Sequence, residues 1–172
     1  YMALDAVTPL PLFMYNVPGR TGVNMTAQTT VRIARDAKHI VGVKDASGNM
    51  EQGAEIIAQR PTDFLVFSGD DETAIPLTLL GGDGVISVIA GGFPKAFKHG
   101  MDLALEKNEA EATRINQQFK PIIDLLYQEG NPAGIKAVSQ LLGLCEANLR
   151  LPLVKPTDAL VAALQPYVSK LN

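Results

Sequence analysis

The sequence has 172 residues, of which 47% are hydrophobic and 19% charged, and its formal net charge is −3. This is the composition of an ordinary globular protein, and the length allows one domain with a buried core. The small acidic excess disfavours a nucleic-acid binder, which needs clustered Lys and Arg to neutralise phosphates. No stretch approaches the roughly 18 uninterrupted apolar residues of a membrane helix. A single cysteine, Cys145, cannot form an intrachain disulfide and fits a reducing cytoplasm.

The chain starts with Tyr1-Met2-Ala3-Leu4, an apolar stretch that is typical of the middle of a helix. It does not start with an initiator methionine. We therefore expect that residues have been removed or that the chain is a piece of a longer protein.

The first part of the sequence alternates between strand and helix patterns. Short runs of apolar, β-branched or aromatic residues, each bounded by Gly, Pro, Asn or Asp, predict four strands at Leu10–Val17, Ile40–Lys44, Phe64–Ser68 and Gly84–Ile89. Helical spacing of apolar residues predicts helices between them at Thr26–Arg35, Asn49–Gln59 and Asp71–Leu80. Asn49 and Gln52 suit an N-terminal cap. Repeated βα units predict a parallel sheet with crossover helices.

The pattern changes after Pro94. The remaining residues predict helices at Lys95–Lys107, Ala110–Glu129, Gly134–Leu142 and Thr157–Leu171, with an extended, proline-bounded loop at 149–156. We therefore divide the chain into a βα region, residues 1–94, and a helical region, residues 95–172. Four βα units fit either half of a (β/α)8 barrel or a small open sheet, and the pattern alone does not separate the two.

Lys44 ends the second predicted strand. Because side chains alternate along a strand, Lys44 shares a face with Gly42 and Ile40. Functional residues of parallel βα folds lie at the carboxyl ends of the strands, and loss of solvation there favours the neutral amine that attacks a ketone to form a Schiff base. A strand-end lysine considered alone, however, more often keeps its ammonium in water.

Two residues near the end of the first strand suit the same site. Tyr15 would stand at the strand end beside Lys44, where a phenol can relay protons, although many such tyrosines only bond to the backbone. Arg20, in the following Pro18–Gly22 turn, offers a planar fork for a carboxylate.

Other polar residues have simpler explanations. Asp70, Asp71 and Glu72 follow the third strand and favour the positive end of the next helix, so we expect no metal there and no cofactor. Cys145 is expected in the core rather than as a nucleophile.

Three sequence blocks together resemble the dihydrodipicolinate synthase and N-acetylneuraminate lyase superfamily. They are Tyr15-Asn16-Val17-Pro18-Gly19-Arg20-Thr21-Gly22, Val41-Gly42-Val43-Lys44-Asp45-Ala46-Ser47-Gly48 and Ser68-Gly69-Asp70-Asp71. The segments at 84–88, 130–136 and 149–153 also resemble later blocks of the superfamily. The resemblance covers nearly the whole chain in the right order.

The resemblance implies a fold and a set of site residues. The fold is α/β, with these four βα units as the second half of a (β/α)8 barrel, followed by a C-terminal helical region. Lys44 would form the Schiff base with pyruvate, and Tyr15 would be the active-site tyrosine. Arg20 would bind the carboxylate of aspartate semialdehyde, and Gly69 and Ile86 would line the pyruvate pocket. The glycine pair Gly91-Gly92 departs from the Ala-Asn pair that is common in the superfamily.

The resemblance also implies partners and leaves alternatives. Arg20 favours the synthases, which make lysine precursors, over the neuraminate lyases, which typically lack this arginine. We expect a homo-oligomer, or association with a separate N-terminal half that would carry the remaining pyruvate-binding residues, and little activity from this chain alone. The alternatives are a pyruvate-dependent aldolase for a sugar acid and a non-catalytic half-barrel scaffold.

Overall fold

A computed structural model describes residues 1–171. The chain forms two compact units. The first comprises Tyr1–Ile86 together with Ala104–Lys107, and the second comprises Ser87–Leu103 together with the residues from Asn108 onward. The proposed division between residues 94 and 95 stays a prediction. No helix within residues 1–171 combines the length and the apolar character that a membrane crossing requires.

The first unit alternates strands and helices. In chain order its elements are α1 (Met2–Asp5), β1 (Leu12–Asn16), α2 (Pro18–Thr21), α3 (Ala27–Asp36), β2 (Ile40–Asp45), α4 (Met50–Gln59), β3 (Leu65–Ser68), α5 (Asp71–Leu79) and β4 (Gly84–Val85). The strands form one parallel sheet in the order β1-β2-β3-β4 within the described residues. The predicted βα repeat is therefore confirmed.

One local prediction was wrong. Of the predicted strand Gly84–Ile89 only Gly84–Val85 is a strand, because Val88 has helical dihedral angles and Ile89–Gly91 forms a 3-10 turn. The predicted turn after β1 takes the form of a one-turn helix, α2. Pro18 at its first position fixes a helical φ, and Gly22 ends it at φ 71°, a left-handed conformation that glycine adopts without steric cost.

The two faces of the sheet differ. Met14, Val43 and Val66 are buried against α3 and α4 and form the core of this unit with Ile56 and other apolar side chains. The opposite face carries the alternate residues of the same strands. There Phe13 and Phe67 stack with ring centroids 5.4 Å apart.

Polar contacts tie the amino ends of the strands together. The buried Asp5 carboxylate accepts hydrogen bonds from the backbone N–H groups of Lys38 (3.0 Å) and His39 (2.6 Å), just before β2. The bond from Lys38, followed by that from His39, lowers the pKa of Asp5. Arg60 pairs with Asp83, next to β4. These contacts lie at the edge opposite to Lys44, so they stabilise the sheet rather than the candidate site.

The second unit is helical. It contains the 3-10 turn, residues 94–103 of α6 (Pro94–Leu105), α7 (Glu109–Gln128), α8 (Ala133–Leu141) and α9 (Asp158–Leu171). Phe97 and Phe119 are buried and meet edge to face, 5.3 Å between centroids. The Thr157 side chain and its backbone N–H donate to the Glu129 carboxylate at the end of α7 and lower the pKa of Glu129.

Candidate active site

Lys44 and Tyr15 meet at the carboxyl edge of the sheet. They are register partners on the neighbouring strands β1 and β2. The Lys44 Nζ lies 3.9 Å from the centroid of the Tyr15 ring, within the range of a cation–π contact. Tyr15 is 45% exposed and Lys44 is partly buried. The structure therefore brings together the two residues that the sequence placed on one rim, and leaves them accessible.

Backbone hydrogen bonds hold the four strand ends level at this edge. The N–H of Ala46 donates to the Asn16 carbonyl at 2.8 Å, and the N–H of Gly69 donates to the Asp45 carbonyl at 2.7 Å. The N–H of Ile86 donates to the carbonyl of Ser68 at 2.9 Å. Each bond extends the parallel pairing by one residue beyond the strand, so side chains at the ends of all four strands are held in a fixed relation.

Gly69 packs directly against the stem of Lys44. A Cβ atom at this position would lie 2.8 Å from Lys44 Cε, 3.0 Å from Lys44 Cγ and 2.7 Å from the Ala46 methyl. These distances are shorter than carbon–carbon contacts in proteins. Only glycine at position 69 therefore leaves room for the Lys44 side chain to run across the end of β3.

Arg20 and Ile86 follow the two outer strands of the sheet, β1 and β4. Arg20 lies on the exposed α2 turn that follows β1. Ile86 follows β4 directly and is 48% exposed. The structure thus places all five residues predicted from the sequence at one edge. It brings Lys44, Tyr15 and Gly69 into direct proximity. Arg20 and Ile86 lie at this edge because each comes shortly after the carboxyl end of a strand.

A buried polar cluster directly behind Lys44 and Tyr15 was not predicted from the sequence. It contains Asn16 and Asp45, which follow Tyr15 and Lys44 and are 4% and 5% exposed. The sequence did contain a sign of this cluster. Side chains alternate between the two faces of each strand, and the last core-facing position, after Met14 and after Val43, is polar where an apolar residue is expected.

Other polar predictions can be compared with the structure. Asp70 caps α5, with its carboxylate accepting from the Thr73 N–H at 2.9 Å, so the helix-terminus explanation is confirmed. Asn49 caps α4 as predicted, with its side chain accepting from the backbone N–H of Gln52. The side-chain amide of Gln52 contacts Asp45 and Asn24 and takes no part in the cap. Within residues 1–171 no group of three or more His, Cys, Asp or Glu side chains could hold a metal ion.

The expectation that Cys145 lies in the core was wrong. Cys145 is exposed, because α8 ends at Leu141 and the following segment has no regular structure in which to bury the thiol. The Lys136 Nζ lies 3.7 Å from its sulfur.

The sequence and the fold can be compared with those of known proteins. The model of the dihydrodipicolinate synthetase family matches residues 1–170. The chain belongs to this family. A 4-hydroxy-tetrahydrodipicolinate synthase of Phocaeicola vulgatus is 51% identical over 154 residues, which are 90% of this chain and 52% of the relative. That of Cytophaga hutchinsonii is 41% identical over 172 residues, 100% of this chain and 58% of the relative.

Solved structures of the family agree with these matches. A dihydrodipicolinate synthase of Thermotoga maritima matches with a TM-score of 0.95 and 35% identity, covering 99% of this chain and 59% of that one. A dihydrodipicolinate synthase of Acinetobacter baumannii, solved with pyruvate, matches with a TM-score of 0.90 and 38% identity, covering 100% and 60%. The chain therefore spans a little more than half the length of these relatives.

The fold predicted from the resemblance is confirmed. The parallel sheet and its helices match the second half of the (β/α)8 barrel of the dihydrodipicolinate synthetase family, followed by a C-terminal helical region. The match to half of a barrel decides against the alternative of a small open sheet.

Proposed function

We propose that this chain carries the Schiff-base residues of a 4-hydroxy-tetrahydrodipicolinate synthase, which condenses pyruvate with aspartate semialdehyde. The contact between Lys44 Nζ and the Tyr15 ring, 3.9 Å at the carboxyl edge of the sheet, is the observation that carries the proposal. The edge is the one at which enzymes with this fold place their reacting groups. The names of the relatives favour a synthase over a sugar-acid aldolase or a non-catalytic scaffold.

Lys44 acts as the nucleophile. Its neutral amine adds to the ketone carbon of pyruvate, and the resulting carbinolamine loses water to give a protonated imine. The imine then loses a proton from the former methyl group and becomes an enamine, whose carbon attacks the aldehyde of aspartate semialdehyde. Cyclisation of the product releases the amine of Lys44. The covalent imine divides a difficult carbon–carbon bond formation into easier steps.

Tyr15 serves these steps in two ways. Its phenol can give a proton to the oxygen that leaves as water and accept one later. The face of its ring attracts a cation at Nζ, and the protonated imine carries its positive charge at that nitrogen. The ring therefore stabilises the intermediate that is formed on Lys44.

The remaining predicted residues bind the substrates. The forked guanidinium of Arg20 can donate two parallel hydrogen bonds to a carboxylate, so Arg20 holds the carboxylate of aspartate semialdehyde. Gly69 leaves room beside the Lys44 stem, and Ile86 supplies an apolar wall for pyruvate.

The proposal includes an assembly and a location. Because the chain spans a little more than half the length of its relatives, we expect it to form the imine but to turn over aspartate semialdehyde slowly without the remaining length or partner subunits. We propose two kinds of partner: further copies of the same chain in a homo-oligomer, or a separate N-terminal half. The single exposed thiol, Cys145, fits a reducing cytoplasm.

Borohydride trapping tests the proposal. The chain is incubated with pyruvate and sodium borohydride, which reduces the imine to a stable secondary amine, and its peptides are analysed by mass spectrometry. We expect one reduced pyruvate adduct, located on Lys44. Lys44→Ala should abolish it.

Lys38→Ala is the matched control, since Lys38 is an exposed lysine just before the same strand, at its opposite end. This variant should be trapped like the wild type. An adduct spread over several exposed lysines, or an unmodified Lys44 peptide, would show that Lys44 is not the nucleophile.

A further inference from the structure

Four side chains behind the candidate site form a closed ring of hydrogen bonds. Asn16 Nδ2 donates to Asp45 Oδ1 and to Asn24 Oδ1, both at 2.9 Å. Asn24 Nδ2 donates to Gln52 Oε1 at 2.8 Å, and Gln52 Nε2 donates to Asp45 Oδ2 at 3.2 Å. The ring joins the carboxyl ends of β1 and β2 to the start of α4 and to the loop before α3. Asn16, Asp45 and Gln52 are all buried.

The direction of every bond in this ring is determined. The backbone N–H of Met25 donates to Asn16 Oδ1 at 3.0 Å, which turns Nδ2 of Asn16 towards Asp45 and Asn24. Asn24 must then accept with its oxygen, so its amide nitrogen faces Gln52. Gln52 accepts with its oxygen in turn, and its nitrogen faces Asp45. All donors therefore run towards the Asp45 carboxylate, which can only accept when ionised.

The Asp45 carboxylate receives two further hydrogen bonds. The backbone N–H of Ser47 donates to Oδ1 and the Ser47 hydroxyl donates to Oδ2, each at 3.1 Å. With Asn16 and Gln52, both carboxylate oxygens thus accept two bonds each. Three of the four ring side chains are buried and Asn24 is exposed. A network with these bonds satisfied holds its members in one arrangement.

The ring acts on the pair that lies one residue before it. Asn16 and Asp45 are register partners, as are Tyr15 and Lys44. Because consecutive side chains point to opposite faces of a strand, the ring lies behind the sheet where Tyr15 and Lys44 lie in front. A change in spacing or twist between Asn16 and Asp45 therefore moves Tyr15 relative to Lys44.

We propose that Asp45, through this ring, is a positioning residue that sets the distance between Lys44 Nζ and the Tyr15 ring. This inference rests on the proposed function for its catalytic consequence, but its geometric part can be measured without catalysis. Asp45→Asn keeps the size of the side chain and places an amide N–H₂ where donors converge. The Ser47 hydroxyl can accept one of the new hydrogens. Gln52 cannot turn its oxygen to accept the other, because Asn24 would then have to turn as well and face Asn16 donor to donor, with Asn16 fixed by Met25.

Two measurements test the role of Asp45. First, lysines are reductively methylated with ¹³C-formaldehyde, and the Lys44 methyl signal is assigned by its absence in Lys44→Arg. The Tyr15 ring current should shift this signal upfield in the wild type, and Asp45→Asn should reduce the shift. Second, the rate of borohydride trapping is measured against pyruvate concentration. Asp45→Asn should lower the maximal rate, by up to about 100-fold, with a smaller change in the half-saturating pyruvate concentration.

Asp5→Asn is the matched control. It makes the same substitution in a buried carboxylate that lies on α1 and accepts backbone bonds just before β2, at the end of that strand opposite to Asp45. This variant should lose stability in thermal unfolding but keep both the shifted Lys44 signal and the trapping rate. If Asp45→Asn does not fold, Gln52→Leu, which removes a single donor to Asp45, should give an intermediate reduction of both readouts.

The outcomes separate the two proposals. A wild-type chain with the shifted signal but without a trapped adduct refutes the proposed function and leaves the geometric part of the inference to be decided by Asp45→Asn. If Asp45→Asn shows the same Lys44 methyl shift and the same trapping rate as the wild type, the positioning role is refuted. Equal losses in Asp5→Asn and Asp45→Asn also refute it, because they would reflect loosening of the whole unit.

Discussion

Replacing Gly69 with alanine tests whether the position of the Lys44 side chain matters. The new methyl group would lie 2.8 Å from Lys44 Cε and 2.7 Å from the Ala46 methyl. Ordinary contact begins at 3.4 Å, so Cε must move by about 0.6 Å, and the attached Nζ moves with it. Ala46, held at the strand end by its backbone bond to Asn16, has less freedom to move.

The displacement sets the expected magnitude. A misplacement of about 1 Å can cost roughly 100-fold in rate, so about 0.6 Å predicts a loss of roughly 10- to 100-fold in imine formation. Overpacking costs about 1 to 3 kcal/mol, and the flexible, partly exposed lysine places this case near the lower value. Gly69→Ala should therefore fold and still react slowly.

The assay is the initial rate of borohydride trapping at saturating pyruvate, with thermal unfolding measured in parallel. Gly19→Ala is the matched control, because a Cβ at Gly19 meets nothing within 4 Å. It should trap pyruvate at the wild-type rate. A wild-type rate in Gly69→Ala would refute the argument that the Lys44 stem needs the space beside Gly69.

Three further changes have defined outcomes. Tyr15→Phe keeps the ring over Lys44 but removes its proton donor, so trapping at saturating pyruvate should slow by about 100-fold or more; an unchanged rate would exclude Tyr15 from proton transfer. The folded state lowers the pKa of Asp5, so the free energy of unfolding should fall as the pH drops below about 4, and Asp5→Asn should flatten this dependence in urea titrations. Gly134→Ala would put a Cβ 2.3 Å from the Leu126 carbonyl oxygen and should destabilise the helical unit by about 3 kcal/mol in thermal unfolding. Gly91→Ala is its control, because a Cβ at Gly91 would have only ordinary contacts.

Much of the fold could be predicted from local patterns. Most predicted strand and helix positions agree with the structure to within a few residues, because several elements are bounded by a residue with a strong local preference. Pro18 opens α2, and the side chains of Thr26, Asn49 and Asp70 cap α3, α4 and α5. Such signals depend on the chain only a few residues away.

The remainder was missed because residue type alone does not show where a strand or a helix ends. The predicted fourth strand continued to Ile89 because its residues are apolar and β-branched, but the backbone turns after Val85 and closes a 3-10 turn in which the Ser87 hydroxyl accepts from the Ala90 N–H. Cys145 was assigned to the core by residue type alone, and residue type does not show where a helix ends.

The sequence predicted that Lys44 and Tyr15 lie close together but not what holds them there. Their positions at the carboxyl ends of two parallel strands were enough to place them on one rim, while their roles were proposed from the resemblance. The ring behind them joins Asn16 to Asp45 across 29 positions and Asn24 to Gln52 across 28, so no local pattern contains it.

One property of strands links the site to its support. A strand that ends with a reactive residue on one face must present its next residue to the other face. At β1 and β2 those next residues are polar and bonded to each other, although an apolar pair would bury more favourably against the helices. Apolar contacts are not directional, so they would tolerate small changes in the spacing of the two strand ends. Hydrogen bonds lose strength steeply with misalignment, so the Asn16–Asp45 pair resists the same changes. The proposed positioning role of Asp45 rests on this difference in directionality between apolar contacts and hydrogen bonds.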